Sequence, residues 1–77
     1  MDIRQVFAAN LRRLRHDKGL SQEALAYEAG INRSYLSKLE KGASYAGLEI
    51  IDKLAAVLDV DPPELLMRSP PNSSRRG

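Results

Sequence analysis

The stretch Gln22 to Gly42, QEALAYEAGINRSYLSKLEKG, holds two short helical patterns separated by Ala29-Gly30-Ile31-Asn32. At about 100° per residue, the second pattern gathers Leu36 and Leu39 on one side and Arg33, Ser34, Ser37, Lys38 and Lys41 on the other. The outward side is polar, small and cationic, a make-up that fits a DNA groove. Ser21 stands just before the first pattern, where its hydroxyl can accept a hydrogen bond from a first-turn amide, so a helix is expected from Gln22. Leu25 and Ala29 face inward, and Ala26, with nothing beyond Cβ, lets the next helix pack closely. Gly30 admits a positive φ at the turn, and Asn32 caps the helix that follows. Each feature alone is a weak signal. Together their spacing meets the steric demands of two helices crossing over a tight turn.

Upstream, Ile3, Phe7, Leu11 and Leu14 recur at helical spacing, which predicts a first amphipathic helix over residues 3 to 18, ended by Gly19. Arg12, Arg13 and His16 fall on its outer face, and Arg15 on the border of the apolar stripe. Downstream, GASYAG (42–47) reads as a connecting loop; no Lys-Ser/Thr follows its second glycine, so it is not a nucleotide-binding P-loop. From Leu48 to Leu58 the apolar residues cover about half a helix circumference, more than the ~100° stripe a surface helix needs. Asp61-Pro62-Pro63-Glu64 carries the signature of a helix start, with Asp61 as cap and Glu64 placed for a capping box. A short fifth helix bearing Leu65, Leu66 and Met67 is expected there. The expectation is an all-α domain over residues 1 to 67, and a flexible basic tail over 68 to 77, whose SPPNSSRRG lacks apolar content.

Seventy-seven residues make one small domain of marginal stability. With no cysteine and one histidine, disulfides and a Cys/His zinc site are excluded, and no metal or cofactor is expected. No apolar run approaches the ~18 residues of a membrane span, and no signal-peptide core opens the chain, so a cytoplasmic setting is expected. Residues 1 to 42 hold eight Lys/Arg against five Asp/Glu, residues 43 to 67 one against five, and the last ten three against none. The basic first half suits a surface turned toward phosphates, with the acidic half turned away. A lone histidine on an exposed helix face, with no thiol and no carboxylate pair in an evident pocket, leaves the usual catalytic constellations missing, so no enzyme and no small-molecule substrate are expected.

The segment LRRLRHDKGLSQEALAYEAGINRSYLSKLEKG resembles the DNA-binding domain of the phage repressor and Cro family, and the likeness runs over roughly residues 5 to 67. Within that family, the run Asn32 to Ser37 and the short chain look most like the controller proteins of restriction-modification systems. The resemblance implies a compact five-helix domain in which the third helix is the recognition helix. Such a helix lies in the major groove, and a dimer reads two half-sites about one turn of DNA apart. Arg33, in its first turn, can give a bidentate hydrogen bond to guanine or can contact phosphate. Ser34 and Ser37 are short enough to bring the backbone near the bases, and Lys38 can reach a base or a phosphate. Gln22 matches the family glutamine that meets a phosphate at a helix N-terminus, and Lys41 is placed for phosphate too. The Tyr35 hydroxyl can reach phosphate while its ring packs, and Ser44 and Tyr45 lie in a loop that approaches the DNA backbone in relatives. Ala43 and Ala46 depart from the more basic, proline-ended loop common in the family. Matching residues in the family make an internal ion pair, expected here between Arg15 and Glu40.

The wide apolar arc of the fourth helix also motivates a homodimer, with Ile50, Val57, Leu65, Leu66 and Met67 as its contacts. The partners expected are therefore double-stranded DNA and a second copy of the chain. The rival is an antitoxin-type DNA-binding protein that also engages a toxin, for which the ten-residue tail is a poor docking segment.

Overall fold

The computed structural model describes residues 2–68. Four α-helices follow in order: α1 (Ile3–Asp17), α2 (Gln22–Ala29), α3 (Arg33–Glu40) and α4 (Leu48–Leu58), with a closing 3-10 turn at Pro62–Leu66. Among the described residues there is no strand, and no helix is long and apolar enough to cross a membrane. The expected fifth helix is thus corrected to a 3-10 turn. Its start is as the sequence indicates, with the Asp61 N–H donating to Glu64 Oε2 at 3.4 Å. Only five residues follow before the chain extends at Met67 (ψ 131°), too few to propagate an α-helix against its nucleation cost. The expected basic tail lies outside the described residues except for Arg68.

The caps explain the helix boundaries. Asp2 accepts from the Arg4 N–H at 2.8 Å, Ser21 Oγ from the Ala24 N–H at 3.0 Å, and Asn32 Oδ1 from the Ser34 N–H at 2.7 Å. Between α2 and α3 the chain reverses at Gly30, with φ 71° and ψ 33°, and the Ile31 N–H returns to the Ala26 carbonyl at 2.9 Å. A Cβ in that left-handed conformation would be strained, which is why the turn carries glycine.

Every helix contributes to a single core. Leu11, Leu25, Leu36, Leu39, Leu54 and Leu65 are wholly buried, one or two from each element. Full burial of each such side chain contributes about 1.5 to 3 kcal/mol. Ala26 is buried within the core. The 3-10 turn is fastened to α1 by Asn10, whose Nδ2 donates to the carbonyls of Leu65 (3.0 Å) and Met67 (2.8 Å). The broad apolar arc of α4 divides: Ile51, Leu54, Ala55 and Leu58 are buried, Ile50 and Val57 are half-buried against the core, and Leu48 is exposed.

α4 ends on a residue that does not suit its position. Asp59 sits at φ 60° and ψ 45°, the left-handed region, and places a carboxylate at the negative end of the helix dipole. Replacement by glycine removes both penalties. Asp59→Gly is expected to raise stability by about 1 kcal/mol, a rise of roughly 4 to 8 °C in melting temperature for a domain of this size. A thermal melt that showed no rise would mean that neither penalty operates at this cap.

Candidate nucleic-acid interface

The amino end of α2 and the outward side of α3 meet around a polar hollow lined by Gln22, Arg33, Ser34, Ser37, Lys38 and Lys41. Five of these come from α3 and its C-cap, held outward because Leu36, Leu39 and Glu40 occupy the inner side. The side chains of Arg33, Ser34, Ser37, Lys38 and Lys41 make no hydrogen bond or ion pair among the described residues. The arginines of α1 differ. Arg4 pairs with Asp2 at 2.8 Å, Arg13 donates to Asn10 Oδ1 at 3.2 Å, and Arg12 and Arg15 both turn to Glu40. The cations of α1 are therefore engaged within the fold, and those of α3 are open to a ligand.

Helix stability does not account for Arg33. It occupies the first position of α3, whose first turn holds no acidic residue, although the dipole favours an anion there. Asn32 compensates as cap, accepting from both the Ser34 and Tyr35 amides. A guanidinium in that place has five donors pointed away from the core, a geometry matched to planar or tetrahedral acceptors.

Behind this face lies a buried polar centre on Glu40. Arg15 Nε donates to Glu40 Oε2 at 2.6 Å and Arg15 Nη2 to Oε1 at 3.0 Å, with the two side chains 10% and 3% exposed. A third Arg15 donor reaches the Leu20 carbonyl at 2.8 Å, ordering the turn before α2. Gln22 Nε2 also donates to Glu40 Oε1, at 3.0 Å. That bond orients the Gln22 amide while leaving its second N–H and its carbonyl oxygen for a ligand. Arg12 Nη1 donates to the main-chain carbonyl of Glu40. Three residues of α1 and α2 thus fix the one that closes α3, through four hydrogen bonds.

Two residues of this arrangement escape a reading of the sequence. Arg12 reads as an outward arginine on a solvated helix face, and nothing in the pattern shows that it reaches α3. Asn10 does carry a signal: it interrupts the apolar stripe one turn after Phe7, and a polar residue there must find a buried partner.

The loop residues stand apart from the hollow. Ser44 and Tyr45 border a separate, mostly apolar pocket with Ile3, Phe7, Ala46 and Leu66. The Arg4 guanidinium lies 4.8 Å from the centre of the Tyr45 ring. Hydrogen bonding from Arg4, first its side chain and then its N–H, holds the Asp2 carboxyl below the usual carboxylate range. Its folded-state value being lowered, this cap's contribution is complete above the ordinary carboxylate value and is lost as pH falls through the lowered one. The Tyr35 hydroxyl donates to the Tyr45 carbonyl at 3.2 Å. In the free chain this bond fastens the loop to α3.

Of the expected dimer contacts, Leu65 is corrected. It is 0% exposed within the single chain and has no surface to offer a second copy, because Asn10 draws its backbone onto α1. Leu66 and Met67 are 38% and 53% exposed, and Ile50 and Val57 are half-buried.

A capped helix, a left-handed glycine turn and a second helix presenting an unpaired cationic face define a helix-turn-helix protein. Residues 6–66 match the family described as a helix-turn-helix domain. A hypothetical transcription factor of Neisseria meningitidis is 43% identical over 66 residues, covering 86% of this chain and 62% of its own length. The crystal structure of the restriction-modification controller protein C.AhdI from Aeromonas hydrophila superposes with a TM-score of 0.78 at 47% identity, over 80% of this chain and 94% of that one. SinR, a master regulator for biofilm formation solved in complex with DNA, superposes with a TM-score of 0.77 at 34% identity, over 79% and 98% of the two chains. The chain belongs to the Xre-type helix-turn-helix family of transcriptional regulators, the family that includes the restriction-modification controller proteins.

Proposed function

We propose that this chain binds double-stranded DNA as a homodimer, laying α3 of each copy in the major groove of a two-fold symmetric operator, and regulates transcription from that site. The observation that carries this reading is the contrast in cation use: the arginines of α1 are engaged internally, whereas Arg33, Lys38 and Lys41 converge without partners on one polar hollow. In this reading Arg33 reads guanine, Ser34 and Ser37 allow close approach, and Lys38 adds a base or phosphate contact. Gln22, beside the first-turn amides of α2, and Lys41 grip backbone phosphates. Ser44 and Tyr45 pass near the DNA backbone at the edge of the contact. Leu66 and Met67, with the half-buried Ile50 and Val57, supply the surface between copies. The relationship to C.AhdI and to the DNA-bound SinR supports the assignment.

The test is selection of bound sequences from a random duplex pool at stated salt, with sedimentation of the free protein over a range of concentrations. The expected result is a palindromic consensus whose half-sites lie about 10 base pairs apart, and a dimer mass. Failure to enrich any sequence at low and moderate salt would overturn DNA recognition. An asymmetric consensus with a constant monomer mass would overturn the dimer.

A further inference from the structure

Arg12 stands outside the proposed DNA-contacting set, yet it touches the recognition helix. Its Nη1 donates to the main-chain carbonyl of Glu40, the last residue of α3 and one of the terminal carbonyls that lack a partner within the helix. A guanidinium there also complements the negative end of the α3 dipole. One turn further along α1, Arg15 holds the carboxylate of the same residue. The two arginines, three apart on α1, thus grip Glu40 by its main chain and by its side chain.

We infer that Arg12 is a positioning residue for sequence recognition: by holding the α3 main chain it fixes the tilt at which Arg33 meets the bases. This rests on the DNA-binding reading above. Arg15 and Gln22 hold Glu40 through its buried side chain. The Arg12 bond to the carbonyl adds a direct hold on the main chain at the end of α3. Arg33 lies about 10 Å up the helix from Glu40 at 1.5 Å per residue. A pivot of about 10° about Glu40 would therefore displace it by about 2 Å, beyond the range over which a hydrogen bond keeps its strength. Arg12 itself is exposed, so the competing role for it is a direct phosphate contact. The two roles differ in what they do to the salt dependence of binding. Loss of a phosphate contact weakens binding to all sequences and lowers the salt slope by about one; loss of a positioning bond leaves the number of engaged phosphates unchanged.

The experiment compares wild type, Arg12→Gln and Arg12→Lys on the selected operator and on a scrambled duplex across a salt series, with circular dichroism to establish that each is folded at the assay temperature. Arg12→Gln is expected to lose about tenfold in affinity on the operator, to stay within about twofold on scrambled DNA, and to keep the wild-type salt slope. Arg12→Lys, which can still donate to a carbonyl, is expected to keep most of the discrimination and serves as the folded comparison should Arg12→Gln unfold. Equal losses on both duplexes with a reduced slope, or no loss on either, would overturn the inference. So would an Arg12→Lys protein that is folded and no better than scrambled-level on the operator. A wild type that fails to discriminate between the duplexes overturns the DNA-binding reading itself, and the inference falls with it.

Discussion

Arg15→Met is expected to destabilise the domain by about 3 to 5 kcal/mol, because it leaves the Glu40 carboxylate buried with only the Gln22 amide to answer it. At roughly 0.05 to 0.15 kcal/mol per residue, a chain of this size has about 4 to 12 kcal/mol in all. The single change should therefore remove about a quarter or more of the total stability. Urea denaturation gives the loss directly. The double variant Arg15→Met/Glu40→Met provides the contrast: with both charges gone the penalty for an unpaired buried ion disappears, and much of the stability is expected to return. Should the single variant melt with wild type, the pair would contribute nothing to the fold despite exposures of only 10% and 3%.

Arg33→Ala has its large effect on selectivity instead. Its side chain is exposed and unpartnered, so stability should change little. If Arg33 reads guanine in bidentate fashion, discrimination between operator and scrambled duplex falls by about 1 to 3 kcal/mol, or roughly 5- to 150-fold. Parallel titrations on the two duplexes decide the matter. An equal loss on both assigns Arg33 to phosphate and moves base reading to Ser34, Ser37 and Lys38.

The parts of the fold governed by local chemistry were legible in the sequence. Ser21, Gly30 and Asn32 act through their own backbone neighbours, and the observed caps and φ angle are those their chemistry requires. The Arg15–Glu40 contact came from resemblance, since two residues 25 apart give no local sign of meeting. The fifth helix failed for want of length: Asp61 to Glu64 marks a start, but a start signal does not say whether an α-helix or a single 3-10 turn will follow. Leu65, Leu66 and Met67 form an apolar run with no period, so the burial of the first and the exposure of the other two depended on how Asn10 sets the turn. The partners of Arg12 and Tyr35 are likewise tertiary. A long outward arginine and a half-buried tyrosine have many possible acceptors, and only the path of the chain picks the Glu40 and Tyr45 carbonyls.

The brevity of α3 sets a limit on how much information one copy can carry. Eight residues make a rod about 12 Å long, which spans roughly four base pairs at about 3.4 Å each. Even a perfect reading of four pairs recurs by chance about once in 256 positions, since each pair has four distinguishable forms. Two copies reading eight pairs reduce that to about one in 65,000, still several dozen accidental matches in a genome of a few million pairs. In the proposed two-fold complex, deformability of the spacer between half-sites, or a second adjacent site, would then supply the remaining selectivity. On the proposed dimeric reading, a domain this small would obtain its address from repetition and from the mechanics of the DNA as much as from its own side chains.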